Sequence, residues 1–151
     1  MDFSNWSKDW HLAQEFVFDS DFSRSSTTST YSPENSPSDC NYECLSYYKT
    51  KEGSLKLQEW LVNSGPDKIE KFVSQISPVL SDFVVDPFAN YAVQKLVECC
   101  TLDQRVVVIK ELEGNLFAFA CSPKGTHVIQ TLVSLCSSPE EESLYLSLIH
   151  I

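Results

Sequence analysis

Asn90, Tyr91 and Gln94 fall at i, i+1 and i+4 of the stretch Asp86 to Glu98, DPFANYAVQKLVE. On a helix the three side chains share one flank. An amide, a phenol ring and a second amide side by side offer hydrogen bonds around a flat stacking surface, which is what reading a nucleobase requires. The helix that must hold them is legible too. Asp86 is a capping residue type, Pro87 suits a first helical position where its missing N–H costs nothing, and Val93, Leu96 and Val97 recur at helical spacing toward a core.

The stretch recurs within the chain. Aligning GSLKLQEWL (Gly53 to Leu61), ANYAVQKLV (Ala89 to Val97) and GTHVIQTLV (Gly125 to Val133) places Gln58, Gln94 and Gln130 in register at intervals of 36 residues. The apolar positions keep step: Leu57, Val93 and Ile129; Trp60, Leu96 and Leu132; Leu61, Val97 and Val133. Between the marked helices the same offset pairs Asp67 with Asp103, Val73 with Ile109, Ile76 with Leu112, Leu80 with Leu116, Phe83 with Phe119 and Pro87 with Pro123. Each unit reads as a first helix (about 68–76 and 104–112), a short helical stretch, a proline break and a second, marked helix. Units of this size cannot bury a core alone. Stacked, they form an all-α solenoid whose second helices line one surface, with a handedness the pattern leaves open.

Composition narrows the chemistry. The chain has 151 residues, 42% of them apolar, enough for one helical domain plus a tail. Its net charge is −10, split evenly at −5 for residues 1–50 and −5 for 51–151, so the acidity is not confined to a tail. A protein that held nucleic acid mainly by neutralising phosphates would need an excess of Lys and Arg, so any RNA contact here must lean on bases. Six cysteines (Cys40, Cys44, Cys99, Cys100, Cys121, Cys136) contain no C-x-x-C pair, and His11, His127 and His150 stand in no ligand-like relation to them. The expectation is reduced, mostly buried thiols, no metal and no cofactor. No glycine-rich phosphate loop and no Ser-His-Asp or Cys-His arrangement appears, so an enzyme is not expected. The apolar runs are too short for a membrane span, and the N-terminus lacks the layout of a secretory signal.

The first 44 residues read as a tail, mostly disordered, with residues 45–151 as the repeat domain. Phe3, Trp6, Trp10, Ala13 and Val17 are spaced 3, 4, 3 and 4, which predicts a short amphipathic helix over 3–18 suited to docking in a partner's groove or packing on its own domain. Residues 19–41 are rich in Ser and Thr and should be disordered. Within them Ser32-Pro33 and Ser36-Pro37 have the form of proline-directed phosphorylation sites, where phosphate would change how the tail binds a partner.

DPFANYAVQKLVE, followed one period later by SPKGTHVIQTLV, resembles the Pumilio-type (PUF) RNA-binding repeat, whose second helix carries an Asn-Tyr-x-x-Gln type motif. The resemblance covers about residues 51–138 and implies a right-handed-type superhelix of Pumilio or armadillo character. It also implies one base of single-stranded RNA per repeat, with the first and fifth motif residues on the base edge and the second stacking between bases. Carried over by position, Asn90 and Gln94 hold an edge and Tyr91 stacks, a set that favours uracil; Thr126 and Gln130 hold the next edge with His127 stacking, a set assigned to adenine. Ser54 and Gln58 form an adenine-type edge pair, but Leu55 stands where a stacking group is expected. The family lies antiparallel to its RNA, and the expected reading from these three units is 5′-N-U-A-3′.

The implied function is sequence-selective binding of U/A-containing mRNA, in the 3′ untranslated region, for post-transcriptional regulation, by a cytoplasmic monomer whose tail recruits protein effectors; nuclear or nucleolar residence is the alternative. Two rival readings are a helical-repeat scaffold for protein partners, to which an acidic surface is no handicap, and a structure-dependent RNA binder of the same family. About three repeats of 36 residues are marked; SSPEEESLYLSLIHI then begins a fourth and stops. There Leu144 falls under Val108 and Leu148 under Leu112, so the domain is expected to be truncated; the ending SLIHI is also similar to translated sequencing adapter.

Overall fold

A computed structural model describes residues 36–39 and 42–149, which are helical and contain no strand among the described residues. The aromatic stretch 3–18 and Ser32-Pro33 lie outside them. After a single 3-10 turn, Pro37–Asp39, come α1 (Tyr42–Tyr47), α2 (Lys51–Val62), α3 (Pro66–Ile76), α4 (Leu80–Val85), α5 (Ala89–Cys99), α6 (Leu102–Leu112), α7 (Leu116–Cys121), α8 (Gly125–Ser134) and α9 (Pro139–Ile149). The 36-residue register is visible in the elements themselves. An outer helix, a 3-10 turn, a short helix and an inner helix occur as α3, Ser77–Val79, α4 and α5, and again as α6, Glu113–Asn115, α7 and α8. This is the all-α repeat solenoid expected, with α2 as the inner helix of the first unit.

Local chemistry sets the boundaries. The Thr50 hydroxyl accepts from the Gly53 N–H (3.0 Å) and starts α2. Pro66 opens α3, and Thr101 with Gln104 forms a reciprocal capping box on α6, so both outer helices start two residues ahead of the sequence expectation. The Asp86 carboxylate does accept at the entrance of α5, from the N–H groups of Phe88 (2.9 Å) and Ala89 (2.8 Å), but the cap position is Phe88 and Pro87 lies in the turn before the first helical residue. Helix α1 begins at Tyr42, ahead of the expected domain boundary, and buries Cys44, Leu45 and Tyr47, with Tyr48 just beyond it.

The inner helices α2, α5 and α8 lie side by side, α5 between the other two. Rows read from the sequence therefore share one core: Leu57 and Val93, Leu96 and Leu132, Val73 and Ile109, Ile76 and Leu112, Phe83 and Phe119 are all buried in it. The last unit loosens three rows, and Leu116 is half-buried where Leu80 is buried. Val97 is fully buried, yet Val133 at the same register position is 46% exposed, and Ile129 is half-buried where Val93 is buried. Among the described residues α8 has an inner-helix neighbour on one side only. The sequence pattern cannot show this, because it repeats whether or not a neighbour follows.

The register carries a small residue where each inner helix enters: Gly53, Ala89, Gly125. A Cβ at Gly125 meets the Phe119 carbonyl oxygen at 2.7 Å, and one at Gly53 overlaps the Tyr47 carbonyl. Gly125→Ala must therefore shift α7 against α8, and a loss of about 1–3 kcal/mol is expected, read as a lower urea midpoint at unchanged slope. An unchanged midpoint removes the close approach as a constraint.

Cys44 and Cys100 are buried, Cys99 and Cys136 half-buried, and all are free thiols. Burial, then the neighbouring Cys99, pushes the Cys100 thiol up to about 12 against a smaller pull from Arg105, so it packs as an inert apolar group. Cys121 is exposed, because its short helix α7 turns that face to solvent. No helix of the described residues is long and apolar enough to cross a membrane.

Candidate nucleic-acid interface

The three marked sets are carried by α2, α5 and α8, and stacking brings these helices together. In the middle set Asn90 is fully buried and Gln94 is 2% exposed, whereas Tyr91 is half-buried, with burial raising its phenol pKa. The amide orientations follow from the backbone. Asn90 Nδ2 donates to the carbonyls of Asp86 (2.6 Å) and Pro87 (3.1 Å), which leaves Oδ1 to accept from Gln94 Nε2 (3.1 Å). Gln94 Oε1 then faces the Thr131 hydroxyl of α8 at 3.4 Å, while that hydroxyl also lies 2.9 Å from the His127 carbonyl.

In the first set Ser54 is fully buried, donating to the Phe88 carbonyl (2.8 Å) at the entrance of α5 and accepting from Gln58 Nε2 (3.2 Å). Gln58 and Leu55 are half-buried. In the third set Thr126, His127 and Gln130 are all half-buried. Burial, and then Lys124, lowers the His127 pKa, against a smaller opposing effect of its hydrogen bond to Gln130. The neutral ring is therefore the main form near neutral pH, and a neutral ring stacks on a base without desolvating a charge.

The structure thus brings Asn90 to Gln94, Ser54 to Gln58 and His127 to Gln130. It places Asn90, Gln94 and Ser54 deeper than a flank lying open to solvent. Sequence reasoning missed Thr131 and the Phe88 carbonyl, which touch these sets from the neighbouring unit. Thr131 follows the marked Gln130 directly, on the side of α8 turned to α5, so its place beside the motif was the one signal available.

Charge is balanced around these helices. Lys56 pairs with Glu52 (3.0 Å) and Lys95 with Glu98 (2.9 Å), so these two lysines have a carboxylate beside them on their own helix. Bulk phosphate attraction is correspondingly weak, in line with the net charge. Among the described residues no group of His, Cys, Asp and Glu could hold a metal ion.

The sequence profile of the Pumilio-family RNA binding repeat matches residues 81–113 and 115–149. Those bounds start at the short helices α4 and α7, so the profile takes each inner helix together with the outer helix that follows it. Pumilio homolog 12 of Arabidopsis thaliana is 33% identical over 106 residues, covering 67% of this chain and 18% of that protein. Pumilio domain-containing protein C6G9.14 of Schizosaccharomyces pombe is 31% identical over 103 residues, 68% of this chain and 15% of that protein. Suppressor protein MPT5 of Saccharomyces cerevisiae is 36% identical over 59 residues, 39% of this chain and 7% of that protein. The chain spans less than a fifth of the length of these relatives. Repeat register, inner-helix motifs and matched profile agree, and the chain belongs to the Pumilio family of RNA-binding repeats, of which it carries a partial domain.

Proposed function

We propose that the inner helices read single-stranded RNA, one base per unit, in 3′ untranslated regions of cytoplasmic messages, and that binding regulates their translation. The observation that carries this is the Asn90–Gln94 amide pair, oriented by backbone carbonyls, next to the ring of Tyr91. Gln94 and Asn90 take a uracil edge and Tyr91 stacks on the base. Thr126, Gln130 and His127 take adenine; Ser54 and Gln58 form the weakest set, since Ser54 spends its hydroxyl on Phe88 and Leu55 supplies no flat partner. Because the strand is antiparallel, the third unit meets the 5′ base. The order that follows is 5′-A-U-N-3′, the reverse of the order first expected from the units.

Asn90 and Gln94 are buried in the unbound chain, so a base gains access only as the pair is uncovered. Part of the binding energy is spent on this, and with three bases at about 1–3 kcal/mol of discrimination each the isolated fragment binds weakly. A second reading, a protein-binding scaffold, is favoured by a groove of about 140 Å³ between α3 and α6, where Glu70 and Asp103 flank Val73 and Val107. The two readings are separable, because one uses the inner helices and the other the outer.

The test is binding of the chain to short single strands with each position varied, alongside Asn90→Ala plus Gln94→Ala. The double variant is expected to lose preference for uracil at one position, by about 5- to 150-fold, and to keep preferences elsewhere. Equal selectivity at every position in both proteins sinks base reading by this set.

A further inference from the structure

We propose that Ser36 is a phosphorylation site whose modification releases the 36–39 turn from the outer helix α3. Two side-chain contacts tie the turn to α3, and a third hydrogen bond lies within it. Asp39 pairs with Lys71, Gln75 Nε2 donates to the Ser38 carbonyl (2.5 Å), and the Ser36 and Ser38 hydroxyls share a hydrogen bond of 2.9 Å. Ser38 is buried against α3, Ser36 is half-buried, and the turn closes through the Asp39 N–H on the Ser36 carbonyl (2.8 Å). Lys71 and Gln75 are one helical turn apart, so both anchors sit on a single stripe of α3.

Four-residue context separates Ser36 from the other serines that precede proline in the described residues. Ser77 donates to the Val73 carbonyl (2.8 Å), Ser122 accepts from the Gly125 N–H (3.2 Å), and Ser138 accepts from the Glu141 N–H (3.1 Å). Those hydroxyls are bonded at helix ends within the packed repeats. Ser36 instead lies on a turn ahead of the repeat units, which the Asp39–Lys71 pair and the Gln75–Ser38 hydrogen bond tie to α3.

The step is phosphoryl transfer by a separate proline-directed protein kinase using a nucleoside triphosphate. The bond between the γ-phosphorus and its bridging oxygen breaks, a bond from that phosphorus to Ser36 Oγ forms, the hydroxyl proton passes to the kinase base, and the nucleoside diphosphate leaves. The product carries about −1.5 to −2 charge at pH 7. That charge lies three residues from the Asp39 carboxylate, whose counter-ion Lys71 is already engaged. A half-buried site also denies the phosphate its hydration. Both effects favour the undocked turn, which uncovers the Lys71–Gln75 stripe. A kinase must reach the Ser36 hydroxyl, so whatever raises the population of the undocked turn also speeds modification there.

The experiment uses the full chain and a proline-directed kinase with ATP, comparing wild type, Ser32→Ala, Ser36→Ala and Lys71→Ala, with sites mapped by mass spectrometry. Phosphate is expected on Ser36 in wild type and in Ser32→Ala. Amide exchange at Asp39 should accelerate about five-fold or more in the modified chain, with protection in α3 and α5 unchanged. Unmodified Lys71→Ala should show the same acceleration and be phosphorylated at Ser36 correspondingly faster, at an unchanged Ser32 rate. Absence of Ser36 modification, unchanged or greater Asp39 protection after it, or an unaltered Ser36 rate in Lys71→Ala overturns the proposal.

Discussion

Glu141→Ala is expected to cost about 3–5 kcal/mol, because it strands Arg105 in a nearly dry site. Glu141 is fully buried and the Arg105 side chain is 13% exposed. Glu141 Oε1 accepts from Arg105 Nε (2.8 Å) and Oε2 from the Ser137 N–H (2.9 Å), while Arg105 reaches back to the Cys100 carbonyl (3.4 Å). The pair ties α9 to α6, one repeat apart in register. Urea unfolding at neutral pH measures the loss. Replacing both partners, Arg105→Met with Glu141→Leu, should restore most of it, since the penalty comes from a lone buried charge more than from the absent pair. A single variant as stable as wild type contradicts the clamp.

The same pair sets an acid limit. Burial pushes the Glu141 carboxyl up, but the Arg105 guanidinium and the Ser137 and Ser138 backbone groups outweigh it and hold the carboxyl below the usual range. A carboxyl more acidic in the folded than in the unfolded chain contributes stability that is complete above the unfolded value, about 4.3, and is lost as pH falls through the lower folded value. Wild type should therefore lose stability over that acid window more steeply than the double replacement.

Phe72→Ala should cost a similar amount, about 3–5 kcal/mol. The ring is fully buried on α3, edge-on to Trp60 of α2 (centroids 5.6 Å apart) and to Tyr48 (6.5 Å). It is the joint at which the first inner helix, the first outer helix and α1 meet, so truncation loosens the helix that holds Ser54 and Gln58. Phe72→Leu, which keeps most of the volume, should lose less. Urea midpoints of the two variants check the order, and equal midpoints exclude a cavity as the cause.

The Pumilio motif was readable because everything that defines it is local or strictly periodic. Asn90, Tyr91 and Gln94 lie within about one helical turn, and the Asp86 signal acts over three residues. What each set does in the unbound chain was not readable in the same way. Ser54 looked like a base-edge group by register, yet its hydroxyl is taken by Phe88.

The amino-acid sequence by itself determined the all-α class, the 36-residue repeat, the apolar rows and the three marked helices, since helix period, caps and register are properties of neighbouring residues. Tertiary structure alone decided how deep the marked amides lie and what they touch. Ser54 meets Phe88 across 34 residues and Gln94 meets Thr131 across 37, contacts that exist only because the units stack. Stacking likewise buries Val97 while Val133, identical in type and register, stays 46% exposed. A repeat in sequence specifies the unit; which of its faces is covered depends on the neighbour packed against it.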